Sequence, residues 1–234
     1  MLIINLFEGE EEIMLRAIIF DMDGVIIDSE PIHYSANKRI FEELGIPINK
    51  SLYSNYIGVS NQEMWQDLKN EYDLQQSVEE LLEKQNLENL QLLRECAKEP
   101  IEGVIELFKT LKENNYKIAL ASSSPMRLIK EVLCMFDIEK YFEVVVSSEY
   151  VARGKPKPDI FIYTAGLLKV KPGECVVIED SKNGVKAAKA AGMKCIGFKN
   201  PNSLNQDLSK ADLVVENMKE ITLELIEKLE KVEA

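Results

Sequence analysis

Short apolar runs and helix-like repeats alternate along most of the chain. The run at 17–20 has the length and the branched side chains of a buried strand, and a polar turn that contains Gly24 closes it. Further strands are predicted at 117–121, 142–146, 175–178, 194–198 and 212–215, and helices at 101–111, 159–168, 185–191 and 218–232. This alternation predicts the α/β class, with a Rossmann-like parallel sheet and helices on both of its faces.

Residues 29–98 interrupt the alternation, because they carry helical patterns and no convincing strand pattern. The first helix is expected to end before Gly45, with Ser29 as its N-cap and Pro31 in its first turn. Further helices are predicted at 61–72 and 77–97. The block is therefore predicted to form an all-helical cap that is inserted straight after the first strand.

The insertion divides the chain into a discontinuous core and a cap. We predict the core domain at 14–28 and 99–234, and the cap domain at 29–98. Met14 immediately precedes the first strand, and residues 1–13 have no role in the predicted fold. We therefore expect residues 1–13 to be a non-native or disordered leader.

The composition narrows the classes of partner. The 234 residues carry a formal net charge of -12, which opposes binding to the phosphate backbone of a nucleic acid. No apolar run approaches the roughly 20 residues that a membrane-spanning helix needs, so we expect no membrane partner. We expect a cytoplasmic monomer that binds cations and a small molecule.

The four cysteines show no close pairing in the sequence, which suits reduced thiols. They are Cys96, Cys134, Cys175 and Cys195.

Polar side chains collect near the ends of the predicted strands. Because parallel strands end at the same edge of a sheet, these groups are candidates for one cleft. Each group also has a purely structural interpretation, as an Asp-rich turn, a helix cap or a solvated lysine. Their joint occurrence favours a site. The groups are Asp21 with Asp23, Ser122 with Ser123 and Ser124, Lys155, and Glu179 with Asp180.

Four carboxylates in one cleft need compensating positive charge. Asp21, Asp23, Glu179 and Asp180 would bring four negative charges together against the one positive charge of Lys155. Like carboxylates repel and raise one another's pKa. A divalent cation would bring the sum of charges close to neutral, and Mg²⁺ suits carboxylates, water and a substrate phosphate. The sequence therefore predicts a Mg²⁺ site.

The same stretches resemble, in order and spacing, the four motifs of the haloacid dehalogenase-like phosphotransferases. The helical insert resembles the mobile cap of that superfamily, and the chain is most similar to its β-phosphoglucomutase-like and sugar-phosphate phosphatase group. The matching stretches are Asp21-Met22-Asp23-Gly24-Val25, Ala121-Ser122-Ser123-Ser124, Lys155-Pro156 with Pro158-Asp159, and Glu179-Asp180-Ser181 followed by Gly184.

The resemblance implies a role for each of these residues. Asp21 is the expected nucleophile, which takes the phosphoryl group as an aspartyl phosphate, and Asp23 is the expected general acid and then base. Ser122, Ser123 and Lys155 are expected to hold the phosphoryl oxygens. The implied Mg²⁺ ligands are Asp21, Glu179, Asp180 and the backbone carbonyl of Asp23.

Hydrolysis and isomerisation use the same core residues. The residues of the cap should therefore decide which of the two reactions occurs. His33 lies where the mutases carry a histidine that orients the acid–base Asp, and Gly58-Val59-Ser60 resembles the mutase cap loop. In contrast, Asn61 stands where mutases usually have an Arg that grips a second phosphate, and Gln85 replaces a further cationic contact. We therefore predict a phosphatase of a small phosphorylated sugar or related metabolite, with a β-phosphoglucomutase-type mutase as the alternative.

Two non-enzymatic alternatives fit the motifs less well. A phosphorylatable receiver domain also uses Asp, Lys and Mg²⁺ on a parallel sheet, but it has no comparable cap and its phosphorylated Asp follows a later strand. A metabolite-binding protein would leave Asp23 without a purpose. The sequence contains neither a Gly-x-Gly-x-x-Gly nor a Walker-type loop, so dinucleotide or ATP binding has no local support.

Overall fold

A parallel sheet forms the centre of the computed structural model, which describes residues 14–47, 60–97, 99–203 and 206–230. Its strands are β1 (Ala17–Phe20), β2 (Lys117–Ser122), β3 (Val144–Ser147), β4 (Cys175–Glu179), β5 (Lys194–Phe198) and β6 (Leu213–Val215). Every pair of neighbours is parallel, in the spatial order β3-β2-β1-β4-β5-β6. The predicted α/β class with a parallel sheet is confirmed.

Helices cover both faces of this sheet and form the insert after β1. None of the helices in the described ranges combines the length and the apolar character needed to span a membrane. The helices are α1 (Glu30–Leu44), α2 (Asn61–Tyr72), α3 (Val78–Cys96), α4 (Val104–Glu113), α5 (Met126–Met135), α6 (Asp159–Leu168), α7 (Lys182–Ala190) and α8 (Leu223–Glu230).

The last helix begins later than the sequence pattern predicts. A start at Met218 is wrong, because Met218–Glu220 forms a short 3₁₀ helix instead. Asn217 accepts a hydrogen bond from the amide of Lys219, and its own amide donates to Glu220. This reciprocal cap closes the 3₁₀ turn, and α8 starts after it at Leu223.

Both faces of the sheet are buried, which explains why its strands are continuous apolar runs. Along β1, Ile18 and Phe20 pack with α4 and α5, whereas Ala17 and Ile19 pack with α6 and α7. The ring of Phe20 meets that of Phe108 edge-on, with 4.9 Å between the ring centroids. The alternation of side chains along β1 therefore joins the two layers of the core.

The central position of β1 determines where the polar strand ends meet. Phe20 pairs with Leu120 of β2 on one side and with Ile178 of β4 on the other. The amide of Asp21 continues this register by donating to the carbonyl of Ile178 over 3.0 Å. The residues that follow β1, β2 and β4 are therefore neighbours at one edge of the sheet.

The three helices that the structure describes in the insert have an apolar cluster of their own. Phe41 of α1 meets Trp65 of α2 edge-on, with 5.6 Å between the ring centroids, and Leu81 of α3 is buried in the same cluster. Ser77 and Glu80 form a capping box at the start of α3. The described part of the insert, 30–47 and 60–97, is thus helical, as predicted, while the domain boundaries at 29 and 98 remain a prediction.

Candidate active site

The loop after β1 folds tightly so that Asp21 and Asp23 lie at the carboxyl edge of the sheet. The carbonyl of Met22 accepts hydrogen bonds from the amides that close this turn. Gly24 has a φ of 74°, and a Cβ at this position would lie 1.9 Å from Oδ2 of Asp180. Glycine is therefore required here, because it permits both the left-handed backbone and the close approach of Asp180.

Lys155 donates hydrogen bonds to residues at the ends of β1, β2 and β4. Its Nζ donates to Oδ1 of Asp21 and to Oε1 of Glu179, each over 2.7 Å, and to the carbonyl of Ala121 over 3.1 Å. Its side chain is only 7% exposed. The ammonium also lies 5.0 Å from the ring centroid of Phe161. The sequence alone left a solvated loop lysine as an alternative, and the structure excludes it.

Glu179 is held in one orientation by donors on both of its oxygens. Oε1 accepts from Lys155, and Oε2 accepts from the amide and the hydroxyl of Ser181, each over 2.9 Å. A Cβ at Gly184 would lie 1.7 Å from Oε1, so the first turn of α7 can approach this carboxylate only through glycine. The N-cap of α7 is Ser181 rather than Glu179 or Asp180.

Asp21, Glu179 and Asp180 form a buried acidic cluster, in which one carboxylate oxygen of each lies within 4.8 Å of the others. Burial raises the pKa of Asp21 to about 7; Lys155 opposes this increase, whereas the charge of Glu179 adds to it. Burial and the charge of Glu179 also raise the pKa of Asp180 well above its usual range. The cluster carries more negative charge than Lys155 compensates, and its oxygen atoms could hold a metal ion.

Four side chains donate to the carboxylate of Asp23. Ser29 and His33 lie 2.7 and 3.4 Å from Oδ1, and Ser124 and Ser122 lie 2.6 and 3.3 Å from Oδ2. Burial would raise the pKa of Asp23, but the hydrogen bond and charge of His33, with the serine hydroxyls, hold it well below its usual range. Asp23 is therefore ionised in this arrangement at neutral pH.

The hydrogen bonds of Ser29 and Ser124 to Asp23 were not predicted from the sequence. Ser29 is the N-cap residue of α1, as predicted, but its hydroxyl makes no cap hydrogen bond and donates to Asp23 instead. Ser124 was visible as part of the serine triplet, but only the fold brings it to Asp23. Ser123, between Ser122 and Ser124, is exposed, and its carbonyl accepts a hydrogen bond from Ser148.

His33 lies between Asp23 and Asn89 of α3. Its Nε2 is 3.4 Å from Oδ1 of Asp23, and its Nδ1 is 3.1 Å from Oδ1 of Asn89. Burial would lower the pKa of His33, but the hydrogen bond and charge of Asp23 raise it to about 9. The imidazole is thus protonated at neutral pH and can donate from both nitrogens.

The other cap residues that were selected from the sequence are Gln85, Asn61 and Gly58, and their surroundings differ. Gln85, which was selected because it stands in place of a cationic substrate contact, has its side chain buried inside the cap. Its Nε2 donates to Asn37 over 2.6 Å, and its Oε1 accepts from the indole of Trp65 over 3.0 Å. Asn61 is exposed as the first residue of α2. Gly58 lies outside the described residues.

Comparison with known proteins identifies the family. The family model described as haloacid dehalogenase-like hydrolase matches residues 18–198, which is most of the chain. The chain belongs to the haloacid dehalogenase-like hydrolase family. The predicted resemblance and the prediction of a hydrolase of this family are therefore confirmed.

Similar members of the family include a phosphatase and mutases. A phosphorylated carbohydrates phosphatase of Thermotoga maritima is 38% identical over 182 residues, which are 78% of this chain and 84% of the relative. A β-phosphoglucomutase of Bacillus subtilis is 34% identical over 91% of this chain and 94% of its own. The crystal structure of a β-phosphoglucomutase from Clostridium difficile superposes with a TM-score of 0.80 at 28% identity, covering 93% and 98% of the two chains.

Removal of the Lys155 charge should destabilise this haloacid dehalogenase-like core. Lys155→Met leaves the carboxylates of Asp21 and Glu179 buried without their cation, so we expect the free energy of unfolding to fall by about 3–5 kcal/mol at pH 8. Urea denaturation measures this loss. The control is Lys157→Met, which removes an exposed charge and should change the stability by less than about 0.5 kcal/mol. Equal stability of the two variants would contradict this interpretation of Lys155.

Proposed function

We propose that this protein hydrolyses a small phosphorylated metabolite, a sugar phosphate, through an aspartyl phosphate on Asp21. The observation that carries the proposal is that two neighbouring aspartates lie in opposite electrostatic surroundings. Asp21 lies in the acidic cluster beside Lys155, with a raised pKa. Asp23 is surrounded by donors that lower its pKa. The contacts of the two carboxylates suit two roles: Asp21 lies beside the ammonium of Lys155, where it can attack phosphorus, and Asp23 is hydrogen-bonded to His33 and to serine hydroxyls, where it can move protons.

The reaction has two halves that use the same two residues. In the first, a carboxylate oxygen of Asp21 attacks phosphorus, the bond from phosphorus to the sugar oxygen breaks, and Asp23 gives a proton to that oxygen. In the second, a water oxygen attacks the phosphorus of the aspartyl phosphate. Asp23 takes the proton of that water, and inorganic phosphate leaves with Asp21 restored.

Asp23 must therefore carry a proton in the first half and lose it in the second. The donors around Asp23 favour its ionised form, which is the form that accepts a proton from water. Ser29 and His33 belong to the segment that leads into the cap. A displacement of α1 from the core would remove these two donors and would favour the protonated form. Movement of the cap would thus convert Asp23 between its ionised and its protonated form.

Lys155 and Ser122 are the proposed contacts of the transferring phosphoryl group, with Ser123 as a third. The ammonium of Lys155 lies 2.7 Å from Oδ1 of Asp21, beside the carboxylate that attacks. Ser122 ends the neighbouring strand β2 and has a buried hydroxyl. Fixed donors in a buried site stabilise the charge that develops on phosphoryl oxygens.

We propose that Mg²⁺ binds in the acidic cluster, held by Asp21, Asp180 and the backbone carbonyl of Asp23, with Glu179 beside them. The close spacing of the carboxylate oxygens and the uncompensated negative charge support this fit. Bound Mg²⁺ supplies positive charge that keeps Asp21 ionised and offsets the charge of the substrate phosphate.

A phosphosugar mutase is the second candidate. Two observations favour it: His33 contacts Asp23, as expected for that class, and two of the similar proteins are β-phosphoglucomutases. A mutase must also grip the second phosphate of its bisphosphate intermediate. The neutral amide of Asn61 cannot supply the charged bidentate contact that an arginine makes. For this reason we propose water as the acceptor.

Mg²⁺ should stabilise the protein in a pH-dependent way. The pKa of Asp21 is raised from 3.8 to about 7, so the contribution of this carboxyl to the stability of the metal-free protein falls as the pH rises between these values. Mg²⁺ competes with the proton for this carboxylate, and its stabilising effect should therefore grow as the pH rises through 7. Thermal unfolding in Mg²⁺ and in EDTA at pH 6 and pH 8 measures the effect, which is about 2.7 kcal/mol at 100 times the Kd.

Two matched variants test the location of this metal. Asp180→Asn should lose most of the Mg²⁺-dependent stabilisation and the phosphatase activity. Asp207→Asn, the same change at an exposed position, should keep both. Stabilisation of Asp180→Asn equal to that of Asp207→Asn would remove Mg²⁺ from the acidic cluster.

The choice between hydrolysis and isomerisation can be made with one substrate. The protein is incubated with β-glucose 1-phosphate and a trace of the 1,6-bisphosphate, and ³¹P NMR follows the products. We expect inorganic phosphate, because Asn61 cannot supply the charged contact that an arginine makes. Asn61→Arg should shift the products toward glucose 6-phosphate. Formation of glucose 6-phosphate without free phosphate by the unaltered protein would contradict the proposed hydrolysis and support the mutase.

A further inference from the structure

Asn89 is a buried amide whose partner is the histidine of the site. It lies in the middle of α3 and is 3% exposed. Its Oδ1 is 3.1 Å from Nδ1 of His33, on the neighbouring helix α1. An amide oxygen only accepts hydrogen bonds, so the hydrogen of this bond belongs to Nδ1 of the imidazole.

This hydrogen bond determines where the other ring nitrogen points. With Nδ1 fixed to Asn89, Nε2 of His33 lies 3.4 Å from Oδ1 of Asp23. All three residues line one cavity between cap and core, which has a volume of about 20 Å³. A cavity of this size has room for a single water molecule. The side chains of His33 and Asp23 are 29% and 27% exposed, so solvent reaches this contact, and the hydrogen bond to the buried amide of Asn89 is what fixes the orientation of the ring.

The partner of Asn89 distinguishes it from the other buried amides of the cap. Asn37 and Gln85 hydrogen-bond to each other, and Gln85 also accepts from Trp65. Those contacts join helices of the cap to one another. The contact of Asn89 instead leads from α3 through His33 of α1 to the loop after β1.

We propose that Asn89 is a positioning residue that holds the His33 ring with Nε2 directed at Asp23. The inference rests on the proposed function, in which Asp23 moves the protons of the reaction. Asn89 acts through His33 on the chemical step, and this predicts a loss of kcat with little change in KM.

The test compares three variants of the full chain. Asn89→Leu removes the acceptor and keeps the branching and the number of side-chain heavy atoms, and Asn89→Asp keeps an acceptor oxygen at the same place. The control, Asn37→Leu, makes the same change at another buried amide of the cap, four residues after His33 on α1. We expect kcat to fall about 10- to 100-fold in Asn89→Leu, to stay close to the unaltered value in Asn89→Asp, and to be unchanged in Asn37→Leu.

The imidazole provides a readout that does not depend on turnover. The chain contains a single histidine, so in protein without a histidine tag the ¹⁵N and ¹H signals of the ring come from His33 alone. We expect the Hδ1 signal to be protected from exchange with water in the unaltered protein, in Asn89→Asp and in Asn37→Leu. In Asn89→Leu this protection should be lost.

Each outcome decides a different claim. An unchanged Hδ1 signal in Asn89→Leu would overturn the inference, and so would an unchanged kcat in a variant that has lost the signal. A loss of kcat in Asn37→Leu equal to that in Asn89→Leu would reduce Asn89 to a packing residue. If the unaltered protein hydrolysed no phosphate ester, the proposed function would fail, and the Hδ1 signal would still decide whether Asn89 holds the ring.

Discussion

The ion pairs of Lys155 with Asp21 and Glu179 are the interaction on which the site depends. The three residues come from separate parts of the chain, and the parallel sheet brings them to one edge. Burying two carboxylates without a cation would cost several kcal/mol for each ion. The ammonium makes this burial possible, and it also places positive charge where a phosphoryl group would be transferred. The stability of the core and the proposed chemistry therefore depend on the same ion pairs.

The cap contributes to the site through a second carboxylate. Asp23 accepts hydrogen bonds from Ser122 and Ser124 on the core side and from Ser29 and His33 on the cap side. In the proposed mechanism, the protonation state of Asp23 depends on whether the cap segment is in place. Asp21 has no such dependence, since its partner Lys155 belongs to the core. This difference supports the distinct roles proposed for these two aspartates, which have the same side-chain type.

The sequence predicted the sheet well because strands buried on both faces are continuous apolar runs. It also predicted the strand-end residues, since their order and spacing match those of a known family. It could not predict the contacts of Ser29, because a serine before a helix has the local pattern of an N-cap whichever way its hydroxyl points. Helical periodicity placed Gln85 on α3 but not its direction, which depends on Asn37 and Trp65 of the neighbouring helices.

Asn89 had no signal in the sequence, because its partner His33 is 56 residues away and a lone Asn in a helix has no characteristic pattern. The last helix was predicted too early, since its apolar spacing continues through a 3₁₀ turn that only the cap at Asn217 reveals. In each case the missing information was a contact between elements. Local pattern thus determined the elements and the motif residues, and tertiary packing determined which side chains complete the site.

The central claim is that Asp21 takes the phosphoryl group, and chemical trapping tests it most directly. Borohydride reduces an aspartyl phosphate to homoserine, so the protein is quenched with borohydride during turnover of β-glucose 1-phosphate in Mg²⁺ and its peptides are sequenced by mass spectrometry. The account predicts homoserine at position 21, dependent on substrate, and none at position 23. Steady turnover with unmodified aspartate at position 21, or homoserine at another position, would contradict it.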